Sequence, residues 1–378
     1  MNAHTVGILG GGQLARMLVQ AGTPLGLRFL VVDSAADACA GQLAPLVQAD
    51  WRDFDALAGF ARDVDVATFD FENVPAETAE WLAGRVAVFP SPAALAVSQD
   101  RLAEKTLFRE LGLDTPAFAT VDSLADLEAA VTTIGLPAVL KTRRLGYDGK
   151  GQAVLRSRED IEPAWKALGG QALILEAFVP FTRELSVVAV RSRSGEFRTW
   201  PLTRNWHSGG ILSASLAPAP DTARLEPLAI GHARALAERL DYVGTFALEL
   251  FEHEGRLLGN EMAPRVHNSG HWTIEGAVCS QFENHLRAVL GLPLGDTSAR
   301  GCSVMLNWIG ELPDRDPVLR ETDAHWHDYG KAARPGRKVG HATVCARDAA
   351  TLHDRLAHLG AALGRGDQAA PVLATLAP

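Results

Sequence analysis

Between residues 6 and 89 short β-branched runs alternate with helical patterns, and no other feature restricts the fold as much. Val6 to Leu9, Arg28 to Val32, Val66 to Phe69 and Val86 to Phe89 read as strands. Between them one apolar helix runs to Ala21 and stops at Gly22, a second spans Phe54 to Ala61, and a third passes through Trp81. Alternating strands and helices predict a parallel, doubly wound α/β sheet. The first strand enters Gly10-Gly11-Gly12-Gln13-Leu14-Ala15 and the second ends on Asp33, a glycine turn with an acid about 20 residues on. That pattern expects a dinucleotide and keeps an NAD(P)-dependent dehydrogenase open. The unit stops at Pro90-Ser91-Pro92 after about four strands, half of a full dinucleotide fold. The glycine turn can therefore equally hold another phosphate or pack a helix on a strand.

A second constraint lies at residues 245–271. Thr245 to Phe251 is an alternating β-branched and aromatic run, Leu257 to Gly259 is apolar, and His253-Glu254-Gly255-Arg256 joins them as a hairpin. A turn centred on Gly255 puts Glu249 directly opposite Glu261, with β-carbons about 5 Å apart on one face. Two carboxylates so held repel unless a cation sits between them. Mg²⁺ takes one or two carboxylates and completes its shell with water and substrate phosphates, so a nucleotide site follows. A two-residue turn would instead send the two side chains to opposite faces.

The segment between these landmarks carries the positive charge. A helix capped by Ser98 or Asp100 runs through Arg101, Lys105 and Phe108 to Gly112, and Ser123 to Asp126 forms a capping box for a packing helix. Pro137 to Thr142 is a strand bearing Lys141, followed by Arg143-Arg144-Leu145-Gly146-Tyr147-Asp148-Gly149-Lys150-Gly151-Gln152 and a strand Ala153 to Leu155. Such a glycine-rich flap lets backbone N–H groups close over phosphates while its lysines supply point charges. Ala172 to Val179 is a buried strand, and Glu184 opens another. A strand edge between two lobes suits an adenine, with an acid for ribose hydroxyls. Arg204 to Leu212 reads as a polar loop containing His207. His267 and His271 are four apart, but Pro264, Ser269 and Gly270 disfavour the helix a zinc motif needs. Arg265, His267, Asn268 and Ser269 instead form a donor-rich loop suited to an anionic substrate.

Composition excludes more than it selects. A formal net charge of −9 argues against nucleic-acid and anionic-membrane surfaces, and no apolar run reaches the roughly 20 residues a membrane helix needs. The N-terminus lacks a charged leader with an apolar core, so a soluble, unprocessed, cytoplasmic protein is expected. Cys39, Cys279, Cys302 and Cys345 are scattered, which suits a reducing compartment. The basic turn Arg334-Pro335-Gly336-Arg337-Lys338 offers Arg337 and Lys338 to a phosphate, and the chain beyond it reads as an alanine-rich helix and a loose tail to Pro378.

Taken together, GGGQLARM, DRLAEK, KTRRLGYDGKGQ, LEAFVPF with Glu184, NWHSGGIL, the Glu249 and Asn260-Glu261 pair, APRVHNSGHW and RPGRKVGH resemble the N5-carboxyaminoimidazole ribonucleotide synthase family of the ATP-grasp superfamily, from Val6 to about His341. The resemblance implies three parts: a Rossmann-like domain at 1–98, an ATP-grasp domain at 99–305 with a mobile lid near 115–180, and a C-terminal domain with mixed or antiparallel sheet at 306–378. It implies ATP contacts at Arg101, Lys141, Gly146, Tyr147, Asp148, Gly149, Lys150, Gly151, Gln152, Glu176, Ala177, Phe178, Val179, Glu184, His207, Asn260 and Glu261, and Mg²⁺ at Glu249 and Glu261. Gln13, Arg265, His267, Asn268, Ser269, Lys331, Arg337 and Lys338 are expected to hold the ribonucleotide, with Lys141, Tyr147, Asp148 and Arg265 taking part in the chemistry. The implied reaction is ATP-driven carboxylation of 5-aminoimidazole ribonucleotide by bicarbonate in purine biosynthesis, by a homodimer. Ala15 stands where the family usually has glycine, and Arg204 where an acid is usual. A ligase using another acid, or an ATP-binding protein without catalysis, are the rivals. The substrate loop counts against the first, and intact Lys141, Glu249 and Glu261 against the second.

Overall fold

A computed structural model describes residues 4–146 and 151–377. The N-terminal layer is parallel, as the alternation requires. Its strands β1 (Thr5–Leu9), β2 (Arg28–Asp33), β3 (Leu46–Gln48), β4 (Val66–Phe69) and β5 (Ala87–Val88) lie in the order 3-2-1-4-5. β3 escapes a periodicity reading because it is three residues long. β1 pairs with both β2 and β4, which buries Val6, Ile8 and Leu9 completely.

A four-stranded antiparallel sheet follows, of β6 (Phe118–Val121), β7 (Ala138–Thr142), β8 (Gln152–Leu155) and β9 (Leu173–Ala177) in the order 6-9-7-8. The Leu124–Ile134 helix lies on it. Ser123 caps that helix by accepting from the Asp126 N–H, and Leu127, Ala130 and Val131 bury against Leu140, Leu173 and Leu175.

The remaining strands build one antiparallel sheet: β10 (Arg183–Arg191), β11 (Phe197–Thr199), β12 (Thr203–Ser208), β13 (Ile211–Ala217), β14 (Gly244–His253), β15 (Arg256–Ala263), β16 (Cys302–Ile309), β17 (Ala324–Asp328) and β18 (Lys338–Ala346). They run in the order 15-14-10-12-13-16-18-17, with β11 also paired to β10. The Glu226–Arg239 helix buries Ala229, Ala233, Leu236 and Ala237 against Leu185, Val187, Phe246 and Leu248 on one face. Two expectations are corrected here. Residues 204–212 are not a loop but β12, a Gly209-Gly210 turn with positive φ at both glycines, and β13. Of their polar side chains Asn205 is buried and His207 meets Glu184, while Ser208 is exposed. The C-terminal tail is not loose: the Ala349–Ala362 helix is followed by a Gly366–Leu376 helix, and Ala369 and Val372 pack on Leu352, Leu356 and Leu359.

Candidate active site

The β14–β15 hairpin brings Glu249 and Glu261 together, though by another route than a turn centred on Gly255. Its turn has two residues, Glu254 and Gly255, both at positive φ, with His253 paired to Arg256. Continued without a break, that register would set Glu261 opposite Leu248, on the wrong face. Instead Leu250 pairs with Gly259 and Glu249 with Glu261, so Asn260 is an extra residue in β15. This bulge, which re-aims a side chain as bulges do, restores the facing carboxylates.

Around Glu261 the charge is positive. Arg101 Nη1 lies 2.8 Å from its Oε2. Burial would raise the Glu261 pKa, but the Arg101 charge and hydrogen bond, with Lys141 and His267 beyond, hold it down to about 2. Glu249 Oε1 faces His267 Nε2 at 3.1 Å. His267 Nδ1 accepts from the Ser269 N–H, which leaves Nε2 to carry the hydrogen toward Glu249. Among the described residues no group of three or more His, Cys, Asp or Glu side chains is disposed to hold a metal. A cation at Glu249 and Glu261 would thus take hard oxygen from two carboxylates and the rest from water and phosphate, which fits Mg²⁺.

A second group of charges lies where the two antiparallel sheets meet. Lys141, near the end of β7, reaches Glu176 Oε2 at 3.0 Å, and the fully buried Lys105 reaches the same oxygen at 3.2 Å. Glu176 Oε1 is buried and has no hydrogen-bond partner among the described residues. An orphaned carboxylate oxygen in a cleft calls for a donor from a ligand. Ala177, Phe178 and Val179 lead from β9 toward β10, so the expected strand edge does join the two sheets. Glu184 accepts from His207 Nδ1 at 2.6 Å. Burial disfavours the charged imidazole, but the Glu184 hydrogen bond and the charges of Glu184 and Glu249 outweigh it and the His207 pKa is raised. Arg204, the departure from the family pattern, does not enter this cleft. It pairs with Leu185, on the sheet face opposite Glu184, where the charges of Arg183 and Glu252 reach it.

Gly146 accepts from Arg101 Nη2 at 3.4 Å, and Gly151 and Gln152 open the return strand, with Gln152 opposite Lys141. Tyr147, Asp148, Gly149 and Lys150 lie outside the described residues. Arg143 and Arg144, which flank the flap, are committed to Asp100 instead of being free for phosphate.

Opposite this cleft the 264–271 loop covers the same sheet face. Arg265 is paired with Glu72, 193 residues away in sequence and without any local signal that would have revealed it. Burial opposes both charges, yet each holds the other ionised: the Arg265 pKa is raised and that of Glu72 lowered. Asn268 exchanges amide hydrogen bonds with Asn307, and Ser269 Oγ lies between Ser186 Oγ and His267 Nδ1. These two side chains brace the loop rather than project from it. Asn205 extends the brace, donating to Ser186 Oγ at 3.0 Å and accepting from Ser215 at 2.8 Å. His271 is buried among Phe282, Tyr329 and His341 and does not join His267 in a zinc site. Lys331 hydrogen-bonds Gln13, which ties the basic segment to the glycine turn. The charge of Lys338 reaches both His207 and Lys331, and Arg337 donates to the Ala332 carbonyl.

The glycine turn itself is occupied from within. The Gly11 N–H donates to Asp33 at 2.6 Å, while Asp70 accepts from Gly12 and Ala15. A β-carbon at Gly12 would sit 2.5 Å from the Asp70 carboxylate. The amides of the glycine turn are thus taken by Asp33 and Asp70 of this chain, which removes the basis for a dehydrogenase.

The chain matches three family descriptions in tandem: a ribonucleotide synthetase preATP-grasp domain over residues 3–99, an ATP-grasp domain over 106–282, and a phosphoribosylaminoimidazole carboxylase C-terminal domain over 303–355. It is 54% identical over 356 residues to the N5-carboxyaminoimidazole ribonucleotide synthase of Pseudomonas aeruginosa, covering 94% of this chain and 98% of that protein. The N5-carboxyaminoimidazole ribonucleotide synthetase of Thermus thermophilus is similar with a TM-score of 0.91 and 55% identity, over 94% of this chain and 98% of that one. The Aspergillus clavatus synthase, solved with ADP and 5-aminoimidazole ribonucleotide, gives a TM-score of 0.89 at 32% identity, over 96% and 99%.

Proposed function

The chain belongs to the N5-carboxyaminoimidazole ribonucleotide synthases, ATP-grasp ligases of purine biosynthesis, and on that premise we propose how its residues divide the reaction. The activity is ATP-dependent carboxylation of 5-aminoimidazole ribonucleotide to the N5-carboxy product. ATP lies between the Lys141–Gln152 flap and the Glu249/Glu261 face. The unpartnered Glu176 Oε1 takes a donor from the adenine, the 177–179 backbone lines the base, and Glu184 with His207 meets the ribose. Mg²⁺, held by Glu249 and Glu261, offsets charge on the phosphates when bound.

Bicarbonate oxygen attacks the γ-phosphorus and ADP leaves, giving carboxyphosphate. This breaks down to CO₂ and phosphate, the carboxyl proton passing to the phosphate, and the exocyclic amine attacks CO₂ and gives up a proton to form the carbamate. Lys141 and Arg101, both largely buried, supply fixed positive charge where the phosphoryl group moves. Exclusion of water protects the carboxyphosphate. Arg265, oriented by Glu72, faces the acyl group, while Lys331, Arg337 and Lys338 hold the ribonucleotide phosphate beside Gln13, His267 and the braced Asn268–Ser269 turn. Roles for Tyr147, Asp148 and the rest of the flap rest on the family resemblance. So do the homodimer, the cytoplasmic location and the division at 1–98, 99–305 and 306–378, the last supported by the spans of the three family matches. Among the described residues no helix is long and apolar enough to cross a membrane.

The observation that carries this reading is the facing Glu249 and Glu261 pair beside Arg101, Lys141 and Glu176. Glu261→Gln keeps the shape and removes the charge. It should abolish ADP release while the protein stays folded by circular dichroism, at some cost in thermal midpoint from the lost Arg101 pair; near-normal turnover at ordinary Mg²⁺ would sink the metal assignment.

A further inference from the structure

β15 is the edge strand of its sheet; the Gly259 N–H donates outward to the Asp114 carbonyl, and beyond it one helix takes the backbone groups on either side of Glu261. The Arg101–Glu110 helix presents Arg101, Glu104, Lys105 and Phe108, spaced i, i+3, i+4 and i+7, along one face. Lys105 Nζ donates to the Asn260 carbonyl at 3.0 Å, and Glu104 Oε1 accepts from the Met262 N–H at 2.7 Å. These are the two residues that flank Glu261. From the same face Arg101 holds the Glu261 carboxylate, and Phe108 lies so close to Gly259 that a β-carbon there would sit 2.8 Å from its ring.

A bulge residue is left out of the ladder, so its backbone groups need partners. An edge covered only for solubility can be masked by any charged or apolar side chain. Here two almost fully buried ionisable side chains, 2% and 0% exposed, are spent on the amide and carbonyl either side of one carboxylate. Burying such groups is unfavourable unless each is hydrogen-bonded in place.

We propose that Glu104 and Lys105 are positioning residues: they lock the Asn260 bulge and thereby hold Glu261 in register with Glu249 for Mg²⁺. Neither touches the reacting atoms. The proposal rests on Glu261 being a metal ligand, and it adds that the ligand's register is imposed from the helix, not from the hairpin turn. Without the clamp, the two-residue turn favours the unbulged register, in which Glu261 leaves the site face.

The test uses the full-length protein and reads two quantities other than turnover. One is the Mg²⁺ gain, the ratio of ADP dissociation constants without and with Mg²⁺, by calorimetry. The other is hydrogen exchange across residues 256–263. Glu104→Leu should lose the Mg²⁺ gain by about 10-fold or more, as loss of an outer-shell partner does, and should exchange faster at Met262. Glu104→Gln keeps an acceptor for Met262 and should retain both properties. Lys105→Met should lower the Mg²⁺ gain as well, beyond any loss of nucleotide affinity through Glu176. If Lys105→Met does not fold, the Glu104 pair still decides. Wild-type Mg²⁺ gain or wild-type exchange in Glu104→Leu overturns the clamp. With the gain present in wild type and absent in Glu261→Gln, that result overturns the clamp alone. A wild-type protein with no Mg²⁺ gain overturns the clamp together with the metal assignment.

Discussion

Glu176 shows how much of this site is electrostatic balance. Its burial would push the carboxyl pKa up, but the charges of Lys141 and Lys105 and the Lys141 hydrogen bond hold it down to about 2 against an ordinary 4.5. A depressed folded-state value means that its stabilisation is complete above pH 4.5 and is lost as pH falls through about 2. Glu176→Gln should therefore be less stable than wild type at neutral pH, by about 3–5 kcal/mol for a broken buried pair. The gap in thermal midpoint should close between pH 4.5 and 2; a gap that is constant or widens on acidification would contradict the pairing. Residues of this kind were readable where their chemistry is uncommon in context: Lys141 beside a glycine flap, two glutamates on one hairpin, Arg265 in a donor-rich loop. Glu72 and Asp70 were not, because each acts through a partner brought close by the fold. Asp33 fits the dinucleotide fingerprint by position, a reading left open beside simple helix packing, and its actual partners are the backbone amides of Gly11 and Ala35.

At the scale of elements, alternation and capping patterns were enough for the parallel layer, the Ser123 helix and the flap strands. They failed where a segment is polar for reasons of function, as in β12, and where alanine hides the periodicity, as in the last helix. That helix has a task. Gln368 donates to the carbonyls of Ser213 and Asn307, and Asn307 holds Asn268 of the 264–271 loop. Removing residues 364–378 would uncover the groove that buries Ala369 and Val372, a loss of about 1.5–3 kcal/mol for Val372 alone. The shortened protein should melt earlier and show a raised KM for the ribonucleotide while KM for ATP changes less. An unchanged melting midpoint and unchanged KM would show the tail to be dispensable. The hairpin teaches a related lesson. The facing of Glu249 and Glu261 was legible, but its cause was not, since a bulge and the helix that grips it lie 155 or more residues apart.

On the scale of the whole molecule, three sheets converge on one cleft. The parallel layer contributes Glu72 and the self-satisfied glycine turn, the four-stranded sheet brings Lys141 and Glu176, and the nine-stranded sheet carries the carboxylate pair, the 264–271 loop and the basic turn. Such an assembly places phosphoryl transfer next to a site for an anionic amine, and that coupling is the central claim. It is tested by ADP release from the purified protein with Mg-ATP and bicarbonate, with and without 5-aminoimidazole ribonucleotide. Release should rise strongly with the ribonucleotide and yield a carboxylated product. Release that ignores the ribonucleotide, with no carboxylated product formed, would contradict it.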